Sequence, residues 1–179
     1  LLTVPVVGSS KRGNIESVLI NSNSNPLSKH LKSLHHSYSN SKYFSEVISH
    51  LGPILNSTTD FLSDLNIALI TEIAKMLGLS TPMLKASDLG SAGVRENLLT
   101  SICREIGATE YVSPPGSKDY LGGSEVFENS GVKLIYFDFI HPIYKQKFGG
   151  FISHLSVVDL LFNVGPKQAA CLIKEGIKE

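Results

Sequence analysis

The residue types and spacings that could carry chemistry fall in a few short segments of this chain. The densest is Ser113-Pro114-Pro115-Gly116-Ser117-Lys118-Asp119-Tyr120. Its glycine permits close backbone approach, Ser113 and Ser117 bring hydroxyls, Lys118 brings a positive charge and Tyr120 an aromatic ring. That composition is either an anion cradle or a tight, proline-rich surface turn. It is not a P-loop, because the glycine spacing and the Lys-Ser/Thr pair of that motif are missing. A second segment, Asp138-Phe139-Ile140-His141-Pro142, sets a histidine after a carboxylate and before a proline that holds the chain extended. Histidine suits proton transfer near neutral pH, so His141 and Asp138 form the candidate catalytic pair. Asp159 and Asn163 share one face of an otherwise apolar helical segment, where they either cap neighbouring loops or face a ligand. The glycine-bearing stretch Ser87 to Gly93 leads into a helix whose free amides would favour an anion, and Arg95 in the first turn could reach the same group. Glycines that simply turn the chain and a solvated arginine are the plainer readings of that stretch.

Positioning these groups requires a sheet edge. Short β-prone runs at Pro82–Ala86, Glu110–Ser113 and Val132–Phe137 alternate with helical patterns at Val94–Ile106 and Glu125–Asn129, the signature of βαβ units. Right-handed crossovers would bring the carboxyl ends of all three strands to one edge, where ligands bind in open α/β sheets. Upstream, Leu2–Val7 and Ile15–Ile20 read as an antiparallel strand pair joined by a basic turn. Helices are expected over Pro26–Ser39, Tyr43–Leu55 with a bend or stop at Gly52-Pro53, and Phe61–Leu77, the last apolar around most of its circumference and therefore the most buried. Ser156–Gly165 and Pro166–Glu179 read as two closing helices. The fold class is α/β: a three-layer domain with a mostly parallel sheet, β-α-β-α-β over residues 82–137, preceded by a strand pair and a helical segment over 26–78. The candidate site belongs to an α/β subregion over 82–165 of a single domain.

Composition narrows the function classes. Sixteen basic residues balance sixteen acidic ones, so the clustered positive charge that nucleic-acid binding draws on is missing. The most apolar stretch, Ile67–Leu79, is interrupted by Thr71, Glu72 and Lys75 and falls short of the roughly 20 residues of a membrane span. Cys103 and Cys171 sit in separate apolar helical patterns and make neither a disulfide framework nor a metal site, which fits buried thiols in a reducing cytoplasm. His30, His35 and His36 lie on an early helix without acidic or cysteine partners, so no metal centre is expected. The chain opens at Leu1 in mid-strand pattern, which reads as a piece of a longer protein.

Three long motifs in order, Tyr111-Val-Ser-Pro-Pro-Gly-Ser-Lys-Asp-Tyr-Leu121, His141-Pro-Ile-Tyr-Lys-Gln146 and Gly150-Phe-Ile-Ser-His-Leu-Ser-Val-Val-Asp-Leu-Leu-Phe-Asn-Val-Gly165, resemble the WbqC-like family. The opening Leu2-Thr-Val-Pro-Val and Asp64-Leu-Asn-Ile-Ala-Leu-Ile are similar to it too. Members commonly carry a further upstream segment with a His-Gln-Pro stretch, and commonly have glycine where this chain has Pro114. The family takes its name from a gene found among those for bacterial surface-polysaccharide synthesis. The resemblance therefore implies a transferase or ligase acting on a small metabolite, an amino sugar or a nucleotide-activated sugar in O-antigen formation. In that reading Ser113, Gly116, Ser117, Lys118, Tyr120 and Arg95 hold the substrate with Asp159 and Asn163 nearby, and His141 moves a proton. The competing expectation is a non-catalytic binding or assembly protein whose partner surface is formed by Tyr120, Tyr136, Tyr144 and Phe151. Donor, acceptor, cofactor and oligomeric state are not legible in the sequence.

Overall fold

A computed structural model describes residues 2–8 and 14–178. In chain order its elements are α1 (Pro26–Tyr38), α2 (Phe44–Asn56), α3 (Leu62–Met76), α4 (Glu96–Glu105), β1 (Glu110–Ser113), α5 (Lys118–Leu121), α6 (Glu125–Ser130), β2 (Lys133–Tyr136), β3 (Asp138–Phe139), α7 (Val157–Val164), α8 (Pro166–Glu175) and β4 (Ile177–Lys178). The chain divides into two compact units, one of Leu1–Ser80 with His141–Lys174 and one of Thr81–Ile140 with Glu175–Glu179. The expected helical stretch 26–78 lies in the first. The expected α/β stretch 82–165 is divided, with 82–140 in the second unit and 141–165 in the first.

The first unit is helical, and its core follows the periodicity of its helices. Leu27 and Leu34 of α1, Phe44, Val47, Leu51 and Leu55 of α2, and Leu160, Leu161 and Phe162 of α7 share one buried cluster with Leu65, Tyr144 and Ala169. Phe162 is the hub, stacked on Tyr38 with ring centroids 4.6 Å apart and on Phe44 at 5.6 Å. Burying each such side chain is worth about 1.5–3 kcal/mol. α2 runs through Pro53 to Asn56. Of the bend or stop expected at Gly52-Pro53, the stop does not occur, because Leu51 and Leu55 on either side are both buried in that cluster and hold the last turn against it. α3 is not the most buried helix. Only Leu65 and Ala74 are buried, while Ile67 and Ile70 are exposed, since an apolar circumference says nothing about how many sides have neighbours. The expected amino-terminal strand pair is reduced to an antiparallel bridge, Val6 with Ile20, flanked by Val7 N–H to Leu19 O at 2.9 Å. Ile15–Ser17 is a 3-10 turn, and the basic turn between the two runs lies mostly outside the described residues.

The second unit carries the parallel sheet, so the chain is mixed α/β as expected, with a smaller sheet. β1 and β2 pair in parallel over the register Glu110 with Lys133 to Ser113 with Tyr136, and Phe137 N–H extends the ladder to Ser113 O at 2.8 Å. Cys103 of α4, Leu121, Phe127 of α6 and Val132 form its core. Pro82–Ala86, expected as a third strand, is unpaired and leads into a 3-10 turn at Ala86–Asp88. Proline offers no ladder donor, and Met83 and Leu84 are both exposed, so the run has neither the pairing nor the buried face a central strand needs. The last helix stops at Glu175, short of the expected Glu179, because Ile177–Lys178 pairs antiparallel with Asp138–Phe139. No helix among the described residues is long and apolar enough to cross a membrane.

Candidate functional site

β1 delivers the Ser113–Tyr120 segment at its carboxyl end. Ser113 and Ser117 are 2% and 1% exposed, and their hydroxyls lie 2.7 Å apart. Ser117 Oγ donates to Pro114 O at 2.7 Å, which spends its proton, so Ser113 Oγ must donate to Ser117 Oγ. Both hydroxyls are thus used inside the loop, and their work is to fix its shape. Gly116 has open space where a side chain would stand. The loop then winds directly into the single turn α5, which displays Lys118 and Tyr120, the latter 66% exposed. Gly122 closes that turn, and a Cβ there would stand 2.5 Å from Lys118 O, a contact only glycine tolerates.

Two cavities meet this turn, and Leu121 lines both. One, of about 410 Å³, is walled by Arg95, Glu96, Leu99, Tyr120 and Leu121, which brings together two of the sequence candidates, Arg95 and Tyr120. Arg95 is held at φ +51°, a left-handed conformation uncommon outside glycine. The other, of about 460 Å³, runs from Leu121 and Gly122 to Val132 and Tyr136. Lys118 Nζ sits 5.2 Å from the centroid of the Tyr136 ring, within cation–π range. Tyr136, at the carboxyl end of β2 and in register with Ser113, was read from the sequence only as a partner-surface aromatic. Its position at a strand end next to the loop's strand was the signal for more. The Ser87–Gly93 stretch already has an anion: Glu105 of α4 accepts from Gly90 N–H at 2.8 Å and from the Ser91 hydroxyl. These two bonds, the Ser91 one first, hold the Glu105 carboxyl below its ordinary pKa. Asp138 is exposed in β3, within this same unit.

The remaining candidates, His141, Asp159 and Asn163, belong to the first unit. Asp159 lies in the first turn of α7, which Ser156 caps, and is 7% exposed. Its Oδ1 accepts from the Tyr38 hydroxyl at 2.7 Å, and its Oδ2 from the Tyr144 hydroxyl at 2.8 Å and Gln146 Nε2 at 3.2 Å. Burial first, then the bonded carboxylate, pushes the Tyr38 hydroxyl's pKa upward. Burial and Asp159 push that of Tyr144 up to about 12, against the opposing hydrogen bond from Gln146. Gln146 also exchanges two bonds with the Ile152 backbone, at 2.8 Å each, closing the 146–152 loop. Tyr144 is therefore buried, which removes it from the expected partner surface. Asn163 Nδ2 donates to Asp159 O within the helix at 2.8 Å, a local capping bond.

His141 Nδ1 lies 2.9 Å from Pro142 O, and Nε2 lies 3.2 Å from His154 N–H. A carbonyl accepts and an amide donates, so these contacts pair Nδ1–H with Pro142 O and the Nε2 lone pair with His154 N–H. The ring packs among Tyr144, Phe151 and His154. Sequence reading missed the roles of Tyr38, Gln146 and His154. Tyr144 and Gln146 are two apart in an extended segment, the spacing that puts both on one side, and this was the available signal.

The structure is that of a mixed α/β chain in which two cavities meet the turn that follows the first strand of a parallel pair. Residues 1–171 match the WbqC-like protein family, and the chain belongs to it. It is 36% identical over 138 residues to the uncharacterized protein Rv1507c of Mycobacterium tuberculosis, a match covering 76% of this chain and 59% of that protein. The chain thus spans less than two thirds of the length of that relative. No solved structure matches.

Proposed function

We propose that the chain is the substrate-binding part of a group-transfer enzyme that acts on a small anionic metabolite or amino sugar, with the substrate at the carboxyl edge of β1 and β2. The observation that carries this reading is the Ser113–Ser117 hydroxyl pair, which fixes a loop leading into the turn where Leu121 lines two cavities, Tyr120 lines one of them, and Lys118 lies over the Tyr136 ring that lines the other. Lys118 and Arg95 have no carboxylate partner among the described residues. Exposed cations beside a fixed backbone turn supply the charge that would hold a phosphate or carboxylate. The family's tie to surface-polysaccharide synthesis supports an amino sugar or a nucleotide-activated sugar as substrate, and a cytoplasmic setting. Proton transfer by His141 would require Nε2 to leave the His154 amide first.

The test is a thermal-shift screen of the protein against nucleotides, nucleotide-activated sugars and amino acids, repeated with Lys118→Ala. Stabilisation by one ligand class, lost with Lys118→Ala, supports the reading. Ligand stabilisation that survives Lys118→Ala counts against it.

The exposed apolar residues Ile143, Phe148 and Ile152 of the 141–155 segment favour the second reading, a non-catalytic assembly protein. Full turnover by a variant carrying Ile143→Ser and Phe148→Ser would count against it.

A further inference from the structure

We infer that the Tyr136 hydroxyl is a ligand-binding group, and that the cavity lined by its ring takes the carboxylate or phosphate end of a small molecule with Lys118 as the counter-charge. This rests on the reading of the β1–β2 edge given above and names the chemistry of one end of its ligand. Tyr136 Oη is buried and has no hydrogen-bond partner among the described residues. A buried hydroxyl without a partner costs free energy that phenylalanine at the same position would avoid. The ring nevertheless lines the cavity of about 460 Å³ bordered by Gly122, Ser124, Glu128 and Lys133.

What would draw an anion to Tyr136 is the Lys118 ammonium beside its ring, outside the residues that line the cavity. Lys133 is engaged with Glu110 at 3.4 Å, while Lys118, exposed and lying over the ring, has no carboxylate partner among the described residues. Lys118 and Lys133 are balanced by Glu110 and Glu128, so the attraction is local to the Lys118 ammonium and suits a single anionic group better than a polyphosphate. An anion that draws the Lys118 ammonium off the ring would bring an acceptor oxygen to the tyrosine hydroxyl. A charge-assisted bond made there would offset the cost of the empty hydroxyl.

The experiment titrates the intact chain, its Tyr136→Phe variant and its Lys118→Ala variant with inorganic phosphate and, separately, with acetate, at constant ionic strength. Binding is read by thermal shift and by the tyrosine Cζ resonance of 13C-labelled protein that Tyr136→Phe removes. The expected result is an unliganded Tyr136→Phe protein at least as stable as the parent, with an apparent Kd for the binding anion weakened about tenfold or more. In the parent, that Cζ resonance moves on addition of the same anion. The two arms say whether phosphate or carboxylate is preferred. Parent and Tyr136→Phe proteins binding equally while Lys118→Ala loses binding would overturn this inference and leave the site itself standing. No binding of either anion by the parent would overturn both.

Discussion

Removing the Asp159 carboxylate should cost the first unit several hydrogen bonds at once, with a magnitude that follows from the geometry. Tyr38 and Tyr144 each donate to it at under 3 Å, and Gln146 does so at 3.2 Å. A hydrogen bond to a charged group is worth about 1.5–3 kcal/mol, and leaving a buried donor empty adds to the loss. Two strong bonds and one weaker one, offset by the relieved cost of burying the charge, leave about 3–4 kcal/mol for Asp159→Ala. For a chain of this length that corresponds to a fall in Tm of roughly 10 °C. Tyr144→Phe alone should cost about 1.5 kcal/mol, because its ring packing is kept. In the Asp159→Ala background it should cost close to nothing, because the hydroxyl has already lost its acceptor. Urea denaturation of the four proteins of this cycle measures the coupling, expected at about 1.5 kcal/mol or more. Additive losses, with coupling below about 0.3 kcal/mol, would refute the idea that Asp159 is the shared acceptor.

Three further outcomes follow from the same structure. Tyr144 has a folded pKa raised to about 12 and Tyr38 is raised as well, so their contribution to stability is full below the unfolded value near 10 and is lost as pH rises towards and through 12. Tyrosinate absorbance should show these two ionising only above the ordinary tyrosine value, and their ionisation near pH 10 in folded protein would contradict the assignment. Gly165 sits at φ +81° and ψ 163°, and a Cβ there would meet the Tyr43 ring at 2.6 Å; Gly165→Ala should cost about 2–4 kcal/mol by denaturant titration, and a neutral effect would mean the α7–α8 junction is not held there. Burial raises the Cys103 thiol pKa, whereas Cys171 is exposed, so a thiol reagent should modify Cys171 in folded protein and Cys103 only after unfolding.

Much of the fold could be read from periodicity, and the failures share a physical origin. β1 was expected over the same residues it occupies, and α1, α2, α3, α4 and α7 were expected within about two residues of their ends, because repeated apolar residues at helical spacing and clear caps such as Ser156 and Gly165 are local signals. Pro82–Ala86 and α3 went wrong where the answer depends on neighbours distant in sequence: a strand needs a partner, and an apolar helix needs something on each side. β4 was hidden for the same reason, since Ile177 and Lys178 become a strand only opposite Asp138 and Phe139. The site was legible in part. Arg95 and Tyr120 line one cavity, and Lys118 opens the turn that follows the β1 loop. The hydroxyls of Ser113 and Ser117 pointed to chemistry by type, yet both are used inside the loop, on Ser117 Oγ and on the Pro114 carbonyl. Tyr38 could not be recognised, because its acceptor lies more than a hundred residues away.

The central claim is that small molecules bind at the carboxyl edge of β1 and β2, and amide chemical-shift mapping of 15N-labelled protein with the ligand class that stabilises it tests this most directly. The predicted result is a cluster of perturbed amides over residues 112–124 and 134–137, extending to Arg95. Perturbations confined to residues 141–163, with the β1–β2 edge unmoved, would contradict it.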